Sequence, residues 1–251
     1  MVIYEHPFNE GIRTMLRLEH LFDRLDELVR RDSAIDHHYA LATMFEVMDV
    51  AARADLKSDL LMELERHRSQ LASYRGHPGI AEGVLDAVIG RIDRSHAALN
   101  QLSGKAGAQL ASNEWLMSVR SRISIPGGSC VFDLPAYFAW QHLDAARRRA
   151  DLMRWTSQLA PLADAIRVLI GLLRESGHPQ RMMALAGQYQ QSLPQGKTYH
   201  LIRVRVDDDE LLVPEISGHR LLVSVRMMRP DAEGKLRPAT GDTSFELTLC
   251  Q

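Results

Sequence analysis

The hydrophobic period changes once along this chain, and that change limits the fold more than any single motif. Up to Ser176 apolar residues recur at three and four residue spacing, and beyond Gly177-His178-Pro179 they alternate. A period near 3.6 buries one stripe of a helix, whereas a period of two buries one face of a strand. The first part must therefore pack helices and the last part must pair strands. Ile202, Val204 and Val206 alternate with Arg203 and Arg205; Leu221, Val223, Val225 and Met227 with Leu222, Ser224, Arg226 and Met228; Phe245, Leu247 and Leu249 with Ser244, Glu246 and Thr248. Asp207 to Asp209, Ser217-Gly218, Asp231 to Gly234 and Thr240 to Asp242 read as the turns between strands. Met1 to Glu5, cut by His6-Pro7, reads as one more strand that needs a partner from elsewhere.

The predicted fold class is α+β. A mostly helical, dimerising domain is expected over 8–180, and an antiparallel β-sheet lobe over 1–7 and 181–251, the N-terminal strand joining those from the C-terminus. The helices are expected from Phe8 to about Arg31, Ile35 to Arg53, Asp55 to Tyr74, and Ile80 to Leu102, the third ended by Gly76-His77-Pro78-Gly79. Ser112 is read as the cap of a short helix bearing Trp115, Leu116 and Val119. Asp144 to Ser176 continues as helix with an interruption at Pro161, and its Ile166 to Leu173 segment is apolar on nearly every side, as in a deep core or a subunit interface.

Between the helical blocks, Val119 to Leu143 combines a basic segment, a backbone break and a new helix. Pro126 lacks an N–H and stops a helix, while Gly127 and Gly128 permit positive φ and close backbone approach. Asp133 and Pro135 then read as a helix start, leading into Tyr137, Phe138 and Trp140.

Charge counts against one class of partner. Lys and Arg total 30 against 32 Asp and Glu, and from Arg181 onward nine basic residues face nine acidic ones. No basic excess draws the chain onto nucleic acid. Cys130 and Cys250 are the two cysteines, which suits a reducing compartment without a disulfide framework. The N-terminus lacks a signal-peptide pattern, and no stretch approaches the roughly 20 apolar residues that span a bilayer. A cytoplasmic, soluble protein is expected.

Catalytic patterns are missing. His37-His38, His67, His96, His142, His178, His200 and His219 are scattered, with no H-E-x-x-H or Cys/His cluster, so neither metal nor cofactor is expected. Glu63 and His67 share a helix face among Arg66 and Arg68, which reads as solvated surface. Pro126-Gly127-Gly128-Ser129 is not a phosphate loop, since no Gly-Lys-Ser/Thr follows at the required spacing, and reads as a tight turn. Ser129 lies outside any G-x-S-x-G elbow, and Cys130 reads as a small packing residue. Arg147-Arg148-Arg149 reads as a solvated helix face, and Phe138 with Trp140 as core. Arg13, Arg17, Arg120, Arg122, His219, Arg220 and Arg226 are the candidate binding residues, expected to converge because the N-terminal strand carries the first helix toward the sheet; ordinary surface ion pairing is the competing reading for each.

Three blocks carry a resemblance. V-R-S-R-I-S-I-P-G-G-S-C-V-F-D-L-P with W-Q-H-L after it, Y-E-H-P-F-N-E-G-I-R-T-M-L-R-L-E from Tyr4 to Glu19, and P-E-I-S-G-H-R from Pro214 to Arg220 resemble, in order, the ZapD family of bacterial cell-division proteins. The resemblance implies a non-enzymatic homodimer that binds the C-terminal tail of the tubulin-like FtsZ and cross-links its filaments at midcell. Arg17, Arg120, Arg122 and Arg226 lead the implied pocket, followed by Arg13, His219 and Arg220. Glu114 and Phe138 depart from the family pattern, which has a basic residue and a histidine there. The rival readings are a nucleic-acid-binding regulator using the basic helices and a small-molecule enzyme.

Overall fold

A computed structural model describes residues 1–52, 55–105, 107–207 and 211–251. The chain forms two compact units, one of residues 1–15 and 170–251, the other of residues 16–169, the division falling within a helix at each crossing. In chain order the described elements are β1 (Val2–Pro7), α1 (Glu10–Arg30), α2 (Ala34–Ala51), α3 (Leu56–Ala72), α4 (Glu82–Gln101), α5 (Ala108–Ala111), α6 (Glu114–Ile123), α7 (Pro135–Gln141), α8 (Ala145–Thr156), α9 (Ala160–Glu175), β2 (Gln180–Ala184), β3 (Gln188–Ser192), β4 (Leu201–Val206), β5 (Val213–His219), β6 (Leu222–Pro230), β7 (Leu236–Pro238) and β8 (Thr243–Cys250). The α+β class is as expected, with strands from the C-terminal part joined by the N-terminal one.

The strands form two four-stranded antiparallel arrays instead of one sheet. The first has the order β1-β4-β8-β2; in the second, β6 lies between β3 and β5 and also pairs with β7. They share one core, in which Ile202, Val204, Phe245 and Leu247 of the first meet Val223, Val225 and Met227 of the second. Strands β2, β3, β5 and β7 escaped the alternation reading, because Gln188–Ser192 is polar at almost every position and Val213–His219 holds Pro214 and Gly218. The turn expected at Ser217-Gly218 is instead mid-strand in β5, whereas Asp231 to Gly234 does turn, Asp231 Oδ1 accepting from the Glu233 and Lys235 amides. Of the turn expected at Asp207 to Asp209, Asp208 and Asp209 lie outside the described residues, as does Arg53 at the expected end of the second helix.

The partner that the N-terminal strand needs is β4, running from Val2 opposite Val206 to Pro7 opposite Leu201. Pro7 is tolerated because β1 lies at the sheet edge. Glu5 fastens this strand: Arg174 donates to both its carboxylate oxygens at 2.8 and 2.7 Å, and Arg203 Nε donates at 3.0 Å. Burial alone would raise the Glu5 carboxyl, but the two guanidinium groups hold it below the ordinary value.

In the helical unit two expected caps are replaced. Asn113, not Ser112, caps α6 by accepting from the Leu116 amide, and Ser112 instead closes the short α5. Leu134 occupies the cap position of α7 without a side-chain bond, so Asp133 has no capping role, while Pro135 takes the first helical position. Asp144 caps α8 through the Arg147 amide, and one turn of 3-10 helix, Ser157–Leu159, separates α8 from α9 just before Pro161. The run 145–175 meets the length and hydropathy of a membrane-spanning helix, which the sequence reading did not anticipate. Its Leu152, Trp155, Leu159, Leu162, Ile166, Leu169 and Ile170 are buried in the protein itself, which makes it a core helix.

The arginine triplet is the largest correction. Arg147 aside, it is no solvated face: Arg148 is 6% exposed and donates to Gln141 O and Asp32 O at 3.1 and 2.6 Å, to Leu143 O, and to His37 Nδ1 at 3.0 Å. Arg149 reaches the carbonyls of Val29 and Arg30 and pairs with Asp32. A guanidinium carries five donors in a planar fork, so Arg148 satisfies carbonyls at the end of α7 and just beyond α1, while Arg149 takes the last carbonyls of α1 itself. His37, fully buried, completes the knot. Its Nε2 donates to Arg31 O at 2.7 Å, so Nδ1 is the free acceptor that Arg148 requires.

Burial, followed by the Arg148 and Arg149 charges, pushes the His37 imidazole below its ordinary value, although its bond to the Arg31 carbonyl works the other way. The unfolded chain then takes up this proton first, near pH 6.5. The stability that neutral His37 contributes is complete above that pH and is lost as pH falls toward the lower folded value. His6 and His38 are lowered as well, so they act with the same sign. Urea unfolding at pH 7 and pH 5 should show a shallower acid loss in His37→Gln than in the wild type; equal losses would remove His37 as a contributor. Arg148→Met, which leaves several buried acceptors unpaired, should cost about 2–4 kcal/mol in the same assay.

Candidate functional site

Phe8 and Asn9 follow β1 directly, and hydrogen bonds hold them against the loop between β3 and β4. The Phe8 amide donates to His200 O at 3.0 Å, and Asn9 Nδ2 donates to His200 Nδ1 at 3.2 Å while its Oδ1 accepts from the Ile12 amide at the start of α1. The other end of that loop is held where Leu193 N donates to Leu221 O at 2.8 Å. Gly218 completes the arrangement. A Cβ there would lie 2.8 Å from Ile202 Cδ1 and 3.0 Å from Phe8 Cε1, so only glycine lets β5 approach this closely.

The result is a cleft of about 230 Å³ whose wall includes Phe8, Leu193, Lys197, Tyr199, His200 and Arg220. A second hollow of about 450 Å³ shares Lys197 and Arg220 with it, and a third of about 230 Å³ shares Lys197 and Tyr199. Lys197 thus stands where all three meet. No aspartate or glutamate lines any of them. With Lys197, His200 and Arg220 beside Phe8 and Tyr199, such a site attracts anions and offers aromatic surface.

The seven residues singled out in the sequence divide between the units. Arg13, His219, Arg220 and Arg226 belong to the sheet unit, and Arg17, Arg120 and Arg122 to the helical unit. Arg220 lines the cleft, and next to it the exposed His219 accepts from the Leu221 amide at 3.3 Å. Arg13 lies 3.4 Å from Glu10, and Arg226 lies 3.8 Å from Glu215, its cross-strand neighbour. In the helical unit Arg120 pairs with Asp49 on α2, Arg122 is exposed at the end of α6, and Arg17 is exposed on α1.

The turn after α6 is as tight as its glycines imply. Ile125, Gly128, Cys130, Asp133 and Leu134 amides each donate to a carbonyl three or four residues back, Gly127 has φ +72°, and a Cβ on Gly128 would lie 2.5 Å from Arg122 O. It presents its side chains outward: Cys130 is exposed instead of packed, and Phe132 is 81% exposed. Trp140 is core, stacked on Tyr137 and close to Trp115, but Phe138 is 40% exposed. Glu63 pairs with Arg66 on the outer face of α3. Among the described residues no three His, Cys, Asp or Glu side chains are placed to hold a metal ion.

Lys197, Tyr199 and His200 were missed in the sequence because Q-G-K-T-Y-H has neither periodicity nor a motif. Phe8 and Asn9 were visible only as part of a block, with no sign of what they would touch.

Ion pairs as open as that of Arg226 contribute little. Arg220→Ala and Arg226→Ala should therefore unfold within about 0.5 kcal/mol of the wild type in urea. Gly218→Val, by contrast, should lose about 1–3 kcal/mol through overpacking. A large loss in either arginine variant would show a structural role and disqualify it as a binding probe.

A profile described as ZapD, cell division protein, matches residues 16–226. The chain is 51% identical over 251 residues to the cell division protein ZapD of Ralstonia pickettii and 50% identical to that of Ralstonia nicotianae. Each alignment covers all of this chain and 99% of the relative.

Proposed function

The chain belongs to the ZapD family of cell division proteins, and from that premise we propose that it is a non-enzymatic cross-linker of FtsZ filaments that binds their C-terminal tails. It works in the cytoplasm at the division ring as a homodimer joined through the helical domain. One observation supports this reading most. Two of the three blocks that carry the family resemblance, Tyr4 to Glu19 and Pro214 to Arg220, meet at a cleft whose charged lining is entirely cationic.

The mechanism follows from valency. One tail site per molecule only decorates a filament, but a two-fold dimer presents two, so each dimer holds two filaments and gains avidity without new contacts. Arg17, Arg120, Arg122 and Arg226, with Arg13, His219 and Arg220, receive the tail, since guanidinium groups take carboxylates in bidentate fashion. No cofactor or metal takes part. Charge balance disfavours the nucleic-acid reading.

Full-length FtsZ filaments should pellet as bundles with this protein, and FtsZ lacking its C-terminal tail should not carry it down. Raising salt from about 0.1 to 0.5 M should weaken the bundles, because the contacts are partly exposed charge pairs. Undiminished co-pelleting with tail-deleted FtsZ would refute tail recognition. Light scattering should give a dimer at micromolar concentration, and a monomer would remove the cross-linking mechanism.

A further inference from the structure

Arginines of the sheet unit other than Arg220 mostly have acidic partners. Arg205 pairs with Glu246, Arg226 with Glu215, Arg237 with Asp231, and Arg174 and Arg203 with Glu5. Lys197 and Arg220 differ: among the described residues neither makes a hydrogen bond or an ion pair with a side-chain carboxylate, and both line the two hollows on either side of Thr198. Two unneutralised cations in a lining free of carboxylates leave a positive potential that an external anion lowers.

We propose that Lys197 and Arg220 hold carboxylate side chains of an extended acidic peptide, and that an apolar side chain next to them enters the cleft between Phe8, Leu193 and Tyr199. The shape supports a peptide. An opening of about 230 Å³ with an aromatic floor takes one side chain, while the adjoining hollow of about 450 Å³ leaves room for the flanking backbone. A nucleic acid needs a row of cations to replace its counterions, and the two adjoining hollows have only Lys197 and Arg220 as permanent charges. Lys197 contributes a mobile ammonium and Arg220 a planar fork, so one accepts carboxylates over a range of positions and the other fixes orientation. The pinned ends of the loop, at Leu193 and His200, keep that geometry in place before the ligand arrives.

This inference rests on the FtsZ-tail reading and adds to it a seat centred on Lys197. Fluorescence anisotropy of a labelled FtsZ C-terminal tail peptide with the full chain tests it, circular dichroism confirming that each variant is folded. Lys197→Glu should weaken binding by about tenfold or more and flatten its salt dependence, while Lys197→Arg should stay within about threefold of the wild type, since one lost charge-assisted contact corresponds to at least that change. Unchanged affinity in Lys197→Glu, with loss in Arg17→Glu or Arg122→Glu, overturns the seat and leaves the tail reading standing. No binding of the peptide by the wild type overturns both. A labelled single-stranded oligonucleotide that binds with the same dependence on Lys197 shows that the ligand class is wrong.

Discussion

The pairing of β1 with β4 is the interaction on which the sheet unit depends. It joins residues about 200 positions apart in the chain, and loop-closure entropy opposes it, so it needs strong local reinforcement. Glu5 supplies that reinforcement, since its carboxylate is shared by Arg174 at the end of α9 and Arg203 on β4. A partly buried carboxylate with two guanidinium partners is tolerable only because both its oxygens are satisfied. With β1 in place, Phe8 and Asn9 have one possible location, against His200 and Gly218, and the cationic cleft follows from that. The edge position of β1 also explains why a proline can end the strand without breaking the sheet.

Long periodic segments were legible in the sequence because each has one large buried face. The helices α1 to α4, and the strands β4, β6 and β8, repeat their apolar residues at the spacing their geometry demands. The other strands were hidden for separate reasons. β3 packs few apolar residues, β7 is three residues long, and β5 interrupts its pattern with Pro214 and Gly218. Gly218 is instructive: glycine after serine signals a turn in isolation, yet here it is present because Phe8 and Ile202 occupy the space a side chain would need. Local chemistry cannot reveal a contact made by a residue more than 200 positions away.

Charged residues were the least legible. Arg147, Arg148 and Arg149 are identical in sequence, but the first is exposed, the second is buried among carbonyls, and the third ties down the end of α1. What separates them is a helical rotation of about 100° per residue together with the carbonyls that end α1 and α7. The same holds for the candidate site. Arg226 and Arg13 have acidic neighbours at ion-pair distance, whereas Arg220 and Lys197 do not, and residue type alone does not distinguish these cases. The family blocks contribute Phe8, Asn9 and Arg220 to one cleft because they name groups of neighbours, while Lys197 lies in a loop outside all three.

On the proposed cross-linking function, the binding surface needs no strained residues or perturbed acid-base pairs. The proposed tail receptor needs rigidity and uncompensated charge, and the antiparallel arrays and the pinned loop support that proposal. Hydrogen exchange of the full chain, measured with and without the FtsZ C-terminal tail peptide, tests this most directly. Slowed exchange over residues 193–200 and 214–221 on adding peptide is the expected result. Protection confined to other segments while the peptide is bound would contradict a seat built from β1, β5 and the loop between β3 and β4.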